Sequence, residues 1–303
     1  MEMGEEDSTM IAVLGAAGHV GGTVADLLLE QNEETRVLEH VRPLRHLAAR
    51  GAQVVRGDAR DSDALRALFD GAEAALVLLP EDVADPRFED TRSRIARMIA
   101  EALGEQAVHY VVALSSAGVG REGIAGPPAG LLEYEQHLFE LSDANVLVLR
   151  SAFYMDYLLL NLPLIESQKV NGSAIAADLA FPMIATRDVA RQAAERLRRR
   201  DFTGRQVTSL LGPEDVSMRE ATRAIGERLG MPDLPYVEFP PENVEEALQA
   251  AGMTGEVARL MVKMQLALNA GAFYDGIERT PGTTMPTRLS DFLATALPER
   301  SPA

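Results

Sequence analysis

The stretch "MIAVLGAAGHVGGTVADLLLEQ", residues 10–31, decides the fold. A short apolar run leads directly into three glycines spaced three apart, Gly15, Gly18 and Gly21, and the chain continues as an amphipathic segment. A strand that enters a helix through a glycine-rich turn presents backbone N–H groups and the helix dipole to a pyrophosphate. The spacing is GxxGxxG, whereas the commonest dinucleotide motif is GxGxxG. A glycine turn can also serve only to pack a helix on a sheet, so both interpretations stay open.

Further along the chain, short apolar or β-branched runs alternate with longer amphipathic segments. These runs are "MIAVL", "RVLEHV", "AQVVRG", "AALVLL", "HYVVAL" and "NVLVLR". Such alternation predicts βαβ units, and the continuous apolar character of the runs is typical of strands covered by helices on both faces. The predicted fold class is α/β, a doubly wound parallel sheet with a smaller, mainly helical C-terminal substrate region.

The pattern also predicts how the chain is divided. Residues 1–155 form the dinucleotide-binding part, and residues 156–303 are mostly a substrate-side region, with 183–200 returning to the first part. The strand-like "RQVTSLLG", which starts at Arg205, is grouped with the substrate-side region. The leucine-rich segment 157–165 is interpreted as either pocket or interface.

Composition excludes several classes of function. There are 46 acidic and 29 basic residues, and the formal charge of -17 repels nucleic-acid phosphates, so we expect no nucleic-acid partner. The basic "RLRRR" at 196–200 is interpreted as the solvated end of a helix. The chain has no cysteine, which excludes disulfides, zinc-thiolate sites and a thiol nucleophile.

No apolar run reaches the roughly 18 to 20 residues that span a bilayer, so we expect no membrane association. The acidic start "MEMGEEDSTM" does not resemble a signal peptide, and we expect a cytoplasmic protein. The first eight and about the last five residues are predicted to be disordered.

The end of the second strand bears on the choice of cofactor. An acidic residue there binds the ribose 2′-hydroxyl of NAD, whereas a basic residue favours the 2′-phosphate of NADP. We predict that this strand ends near Val41, which puts Arg42 in place, and Arg45 and His46 add positive potential. Glu39 within the strand argues the other way. The sequence favours NADP(H) over NAD, and a merely solvated Arg42 is the alternative.

These residues carry a family resemblance. The sequence resembles the NmrA-like group of atypical short-chain dehydrogenases, in which a GxxGxxG turn, an Arg after the second strand and a "GD" after the third recur. Here they read "GAAGHVG", Arg42 and "RGDARD", and "LRSAFYMDYLL" at 149–159, "ATRDVA" at 185–190 and "TTMPTRLSDFL" at 283–293 extend the match over nearly the whole chain.

The resemblance implies a set of cofactor contacts. In it, Gly15, Gly18, His19, Val20 and Gly21 cradle the pyrophosphate, Arg42 meets the 2′-phosphate, Asp58 and Ala59 border the adenine, and Leu79, Pro80 and Ser115 border the ribose and nicotinamide. Tyr154 and Met155 line the substrate pocket. From the residues alone, Asp58 could equally cap a helix beside Asp61, and Tyr154 and Met155 could equally pack a core.

Catalysis is less clearly encoded. Short-chain dehydrogenases usually protonate the reduced carbonyl with a Tyr and a Lys four residues later, plus a Ser. Ser116 matches that serine, although it could equally satisfy a turn, but the Tyr and Lys positions fall at Pro128 and Leu132. Tyr134 has Leu138 four residues later, and His137 in the same helix is interpreted as solvated.

Three functions are compatible with this pattern. The first is NADPH-dependent reduction of a small conjugated carbonyl or quinone-like substrate, whose reduced anion is well delocalised. The second is a non-catalytic regulator that senses the NADP redox state and reports to a protein partner, a role with precedent in the resembled group. The third is a biosynthetic reductase or epimerase with a non-standard acid, for which Tyr154, Tyr157 and His137 are candidates.

Overall fold

The computed structural model describes residues 9–297, so the two segments predicted to be disordered lie outside the described residues. The strands are β1 (Ile11–Val13), β2 (Thr35–Glu39), β3 (Gln53–Arg56), β4 (Ala74–Val77), β5 (Tyr110–Ser116), β6 (Asn145–Ser151), β7 (Phe153–Tyr154), β8 (Asn171–Ser173), β9 (Ala180–Ile184), β10 (Arg205–Leu210), β11 (Asp215–Ser217) and β12 (Tyr236–Glu238). The helices are α1 (His19–Glu30), α2 (Arg45–Ala49), α3 (Ser62–Phe69), α4 (Phe88–Glu105), α5 (Leu131–Phe139), α6 (Leu162–Gln168), α7 (Thr186–Arg199), α8 (Met218–Arg228), α9 (Pro241–Ala250), α10 (Gly255–Asn269) and α11 (Leu289–Ala296). Short 3₁₀ helices cover Pro127–Gly130 and Met155–Asn161.

A seven-stranded sheet forms the centre, in the order β10-β6-β5-β4-β1-β2-β3, and every adjacent pair is parallel. The predicted α/β class with a doubly wound sheet is confirmed. From β1 the chain adds β2 and β3 on one side, and from β4 it adds strands on the other. The strand order therefore reverses between β1 and β4, and in such sheets the ligand crevice lies at the carboxyl ends of the strands at that point.

The apolar runs become strands because helices cover both faces of the sheet. Residues Ala74–Val77 of β4 are fully buried. One apolar layer joins alternate residues of β1, such as Ile11 and Val13, to α1 and α7, and a second joins Ala12 to α3 and α4. The small residues of α7, among them Ala190 and Ala193, let this helix lie close to the sheet beside α1.

One grouping made from the sequence is wrong. The segment that starts at Arg205 is not part of the substrate-side region, because β10 pairs in parallel with β6 over its whole length. Helix α7 is the crossover that brings the chain back to this edge of the sheet. The division of the chain near residue 155 stays a prediction.

The remaining elements form a layer at the carboxyl edge of the sheet. It contains a three-stranded sheet, β11-β9-β7, a two-stranded sheet, β12-β8, and helices α6 and α8 to α11. A separate apolar cluster holds it together, with Met155, Phe181 and Phe292 among its buried members. Across residues 9–297, no helix is long and apolar enough to cross a bilayer.

Candidate functional site

Two of the three glycines in the turn after β1 are required by packing within the protein. Gly15 has φ +88°, and a Cβ there would lie 2.6 Å from the side chain of Leu78. A Cβ on Gly21 would lie 2.3 Å from the carbonyl oxygen of Gly15. The first glycine therefore makes the turn, and the third lets α1 approach it.

Gly18 is different, because the protein itself gives no reason for a glycine there. Its backbone is extended, with φ -94° and ψ 171°, and the nearest atom to an added Cβ is the Gly15 carbonyl oxygen at 3.4 Å. Residues 17–19 are exposed. A side chain at position 18 would occupy only the outer surface of the turn, which is where a ligand would approach.

Helix α1 begins at this exposed turn. Gly18 is its N-cap residue, so no side chain caps the helix, and its first turn contains no acidic residue. The first N–H groups of a helix have no intrahelical acceptor, and the helix dipole favours an anion beside them. His19, Val20 and Gly21 thus offer backbone donors to a pyrophosphate, and the residues present fit that group.

An unpredicted contact joins the turn to the segment that follows β6. His19 Nδ1 lies 3.6 Å from Asp156 Oδ1, and the Asp156 carboxylate accepts hydrogen bonds from the Thr186 amide and hydroxyl at 3.2 and 2.9 Å. The contact places the start of the 3₁₀ helix Met155–Asn161 beside the glycine turn. Spacing gave no signal for Asp156, since it is 137 residues from His19 along the chain.

The second strand ends at Glu39, two residues before the predicted end near Val41. The Glu39 carboxylate accepts a hydrogen bond from the Leu44 amide at 2.6 Å, and this bond folds residues 40–44 into a turn. The carboxylate also lies 3.3 Å from Arg56 Nε. Its charge is therefore engaged within the loop. Arg42 projects from that loop, is exposed, and makes no ion pair within residues 9–297.

Asp58 follows β3 and does not cap the next helix. Its Oδ1 accepts a hydrogen bond from the Arg60 amide at 2.9 Å, and His40 lies 3.5 Å from its Oδ2. Asp61 is the N-cap of α3, so the capping interpretation of Asp58 is wrong. Ala59 beside it is buried. The contact of Asp58 and Ala59 with adenine stays a prediction.

Ser115 and Ser116 end β5 and differ in their surroundings. The Ser115 hydroxyl donates to Glu135 Oε1 at 2.5 Å, and Glu135, only 1% exposed, also binds Arg150 through two hydrogen bonds of 3.0 and 2.5 Å. The side chain of Ser115 is thus committed to this buried network, and only its backbone is left to border a cofactor. The Ser116 hydroxyl donates to the Ala117 carbonyl at 3.2 Å, and its catalytic role stays a prediction.

Neither Tyr134 nor His137 supplies the missing proton donor. Tyr134 is fully buried, and burial raises the pKa of its hydroxyl. His137, in the last turn of α5, lies 3.5 Å from Glu133 and 3.6 Å from Glu140. Because α5 runs back from the carboxyl edge of the sheet, His137 lies near the opposite edge, where Arg205 at the start of β10 donates to the Phe139 carbonyl.

Aromatic side chains form one wall beside the glycine turn. The Tyr154 and Tyr157 rings lie 5.5 Å apart, and Phe153 packs edge-on against Tyr157. Burial raises the pKa of both tyrosine hydroxyls, so they stay protonated at neutral pH. Tyr157 is 48% exposed and marks the rim of this wall. Met155 is fully buried in the substrate-side core, which supports its interpretation as core packing.

Glu81 and Arg92 form a further pair that the sequence reasoning missed. Leu79 is buried and Pro80 half-buried, and the next residue, Glu81, approaches Arg92 of α4 with 3.2 Å between Oε1 and Nη2. Burial lowers the pKa of Arg92, and the charges of Glu81 and Glu89 oppose that shift. The available signal was a carboxylate directly after the run "ALVLLP".

Comparison with known proteins identifies the family to which the chain belongs. A family described as NAD(P)H-binding matches residues 15–200, more than half of the 303-residue chain. The chain belongs to this NAD(P)H-binding family. The match starts at the first glycine of the turn and ends just after α7.

Solved structures of similar fold come from proteins with different roles. An NADPH-dependent quinone oxidoreductase from Escherichia coli is 19% identical, with 95% of this chain and 99% of that chain covered and a TM-score of 0.73. The triphenylmethane reductase of Citrobacter sp. is 18% identical, with 95% and 99% covered and a TM-score of 0.77. The negative transcriptional regulator NmrA, solved with NADP, is 16% identical, with 94% and 89% covered and a TM-score of 0.68. At these identities the likeness shows a shared fold, and the family match shows that the chain is NAD(P)H-binding, as the resemblance found in the sequence implied.

Proposed function

We propose that this NAD(P)H-binding protein is an NADPH-dependent reductase of a small conjugated carbonyl or quinone-like compound. The observation that carries the proposal is the juxtaposition of the glycine turn, with its free helix start at Gly18, and the aromatic wall of Tyr154 and Tyr157. The contact of 3.6 Å between His19 Nδ1 and Asp156 Oδ1 joins the turn to the 3₁₀ helix that carries Tyr157. A planar acceptor that stacks on the wall would lie close to a dinucleotide bound at the turn.

The chain's own residues have distinct tasks in this proposal. The amides of residues 19–21 hold the pyrophosphate, Arg42 holds the 2′-phosphate, and Asp58, Ala59, Leu79, Pro80 and the Ser115 backbone border the rest of the cofactor. The bound dihydronicotinamide supplies a hydride. Tyr154 and Tyr157 orient the acceptor and exclude water from one side of it.

The absence of the usual Tyr–Lys pair bears on which acceptors the site could reduce. The chain contains two lysines, Lys169 and Lys263, and they stand at the end of α6 and on the exposed side of α10. Neither is in α5, which has Leu132 at the usual lysine position. A simple ketone would leave a localised alkoxide that needs a strong acid partner, whereas a quinone leaves a delocalised anion. Conjugated acceptors therefore suit this site better.

The experiment is a fluorescence titration of the purified protein with NADPH and NADH, followed by addition of a panel of benzoquinones and naphthoquinones. NADPH binding followed by its oxidation is the expected result. Binding without oxidation would overturn the reductase and support a cofactor-sensing regulator, which the absent Tyr–Lys pair also suits. If the protein bound neither cofactor, the glycine turn would serve only to pack α1 on the sheet.

A further inference from the structure

His19, the first residue of α1, is the only residue among the first 35 whose side chain can carry a positive charge. Residues 1–35 contain neither Lys nor Arg. Gly18 caps the helix without a side chain, and in the described part of the chain the amides of residues 19–21 have no acceptor. Those amides offer only partial charges to a pyrophosphate, which carries full negative charges. A full positive charge from within the turn would have to come from His19.

The ring of His19 is held on one side only. Its Nδ1 lies 3.6 Å from Asp156 Oδ1, which is the length of an ion pair and too long for a hydrogen bond. Nε2 has no hydrogen-bond or ion-pair partner within residues 9–297, and the side chain is 79% exposed. Because Cα–Cβ bonds lean toward the N-terminus of a helix, a side chain in the first turn lies near the end where an anion binds. Nε2 is therefore free to meet one.

Asp156 is fixed from its far side by α7. Its Oδ2 accepts a hydrogen bond from the Thr186 amide at 3.2 Å, and its Oδ1 accepts one from the Thr186 hydroxyl at 2.9 Å. An amide can only donate, so the carboxylate is kept as an acceptor toward α7 while Oδ1 also faces the imidazole. The side chain of Asp156 is only 18% exposed. It thus presents its charge to His19 from a fixed position.

The other titratable groups near this contact do not compete for the ring. Asp156 is the only carboxylate at ion-pair distance from His19 within residues 9–297, and the first turn of α1 has no acidic residue. Tyr154 and Tyr157 flank Asp156 along the chain, and burial raises the pKa of both hydroxyls, so they stay neutral. The charged side chains of the neighbouring elements have partners of their own: Arg187 and Asp188 of α7 bind Thr287, and Glu81 of the loop after β4 pairs with Arg92.

We propose that the His19 imidazolium, held by Asp156, binds the pyrophosphate of the cofactor, and that the protein takes up a proton as the cofactor binds. A neutral imidazole has one N–H, whereas the imidazolium donates from both ring nitrogens. A ring that lies between two anions is thus favoured in its charged form. The proton comes from water and stays on the ring, and no bond of the cofactor changes. The inference rests on the pyrophosphate role of the turn and does not need the reductase activity.

The affinity for the cofactor then has a fixed dependence on pH. Imidazoles lose their proton between about pH 5 and 8, so an interaction that needs the charged ring weakens as pH rises. At pH 6, His19→Gln should bind NADPH about tenfold more weakly than the wild type, as for one lost charge-assisted hydrogen bond, and the difference should shrink toward pH 9. Asp156→Asn keeps an acceptor for Thr186 but removes the charge, so the fall in affinity should occur at lower pH.

The test is isothermal titration calorimetry with NADPH and with NADH at pH 7.5, in two buffers that differ in their heat of ionisation. The difference in observed heat gives the number of protons taken up, and the wild type should take up more than His19→Gln, by a fraction of one proton. His109→Gln is the matched control. His109 is 54% exposed and lies 3.0 Å from Glu73, but it precedes β5 at the opposite edge of the sheet. Its loss should leave the proton uptake unchanged.

The two cofactors separate His19 from the groups around the 2′-phosphate. That phosphate changes charge at about pH 6, and His40 and His46 lie in or next to the loop that is predicted to meet it. NADH has the same pyrophosphate and lacks the 2′-phosphate. The difference between the wild type and His19→Gln should therefore be the same with both cofactors. A difference with NADPH alone would assign His19 to the 2′-phosphate and overturn the proposal.

The outcomes for this inference and for the reductase are distinguishable. Equal proton uptake in the wild type and His19→Gln, with NADPH bound by both, would overturn the role of His19 and leave the reductase standing. An unchanged pH profile in Asp156→Asn would show that Asp156 does not hold the ring. Proton-coupled binding without oxidation of NADPH by a quinone would support the inference while the reductase fell. If the wild type bound neither cofactor, the pyrophosphate role of the turn and this inference would fall together.

Discussion

The carbonyl oxygen of Gly15 lies 2.3 Å from where a side chain on Gly21 would begin. These two glycines are therefore explained by contact within the protein, one as the turn and the other as the surface against which the turn packs. Gly18 lies between them with an ordinary extended backbone and room for a Cβ. Its glycine is best explained by a molecule that approaches from outside.

Gly18→Val is the substitution that separates binding from folding. The extended backbone at position 18 accepts a β-branched residue without strain, so the melting temperature should stay within a few degrees of the wild type. The added methyl groups would fill the surface of the turn, and NADPH and NADH binding should both be lost in a fluorescence titration.

Gly21→Ala is the matched control, because here the substitution is expected to lower the stability of the fold. It places one carbon against the Gly15 carbonyl and should cost about 1–3 kcal/mol of folding free energy, seen as a lower melting temperature. A stable Gly18→Val protein with wild-type cofactor affinity would refute the pyrophosphate role of the turn.

Arg42 should set the preference between the two cofactors. If its guanidinium holds the 2′-phosphate, Arg42→Ala removes a charge-assisted hydrogen bond and should weaken NADPH binding by about 1.5 to 3 kcal/mol, while NADH binding hardly changes. Arg223→Ala, an equal loss of charge on the exposed face of α8, controls for the long-range field. Equal losses for NADPH and NADH in Arg42→Ala would contradict the assignment.

Glu39 should act on cofactor binding through the loop it holds. Glu39→Ala removes the acceptor for the Leu44 amide, so residues 40–44 should exchange amide hydrogens faster and NADPH affinity should fall several-fold, less than in Arg42→Ala. Glu39→Gln keeps an acceptor oxygen and is expected to retain most of the affinity. Tighter NADH binding in Glu39→Ala would show that this carboxylate repels the cofactor instead of ordering the loop.

The sequence was sufficient for features that depend on local pattern. Alternating apolar runs and amphipathic segments are repeated often enough to define the strands of the main sheet, and the turn "GAAGHVG" combines strand, glycines and helix in one stretch. The end of β2 was misplaced because "LEHV" continues an alternation of apolar and polar residues, whereas the chain turns after Glu39, whose carboxylate accepts a hydrogen bond from the Leu44 amide.

Features that depend on distant side chains could not be predicted from the pattern. The commitment of Ser115 to Glu135 and Arg150 depends on the rotation of α5 about its axis, and the pairing of Glu81 with Arg92 depends on where α4 crosses the loop after β4. The place of β10 was missed for a related reason: a long crossover through α7 separates it from its partner β6.

The two serines at the end of β5 give a last test, because successive side chains of a strand point to opposite faces. Ser115→Ala removes a hydroxyl that donates to a buried carboxylate and should lower the free energy of unfolding by about 1.5–3 kcal/mol, with cofactor affinity unchanged. Ser116→Ala removes a hydroxyl bound only to the next carbonyl and should leave the melting temperature as it is. If Ser116 contributes to catalysis, its loss lowers kcat for quinone reduction without this cost in stability. Weakened NADPH binding in Ser115→Ala would show instead that its hydroxyl leaves Glu135 to contact the cofactor.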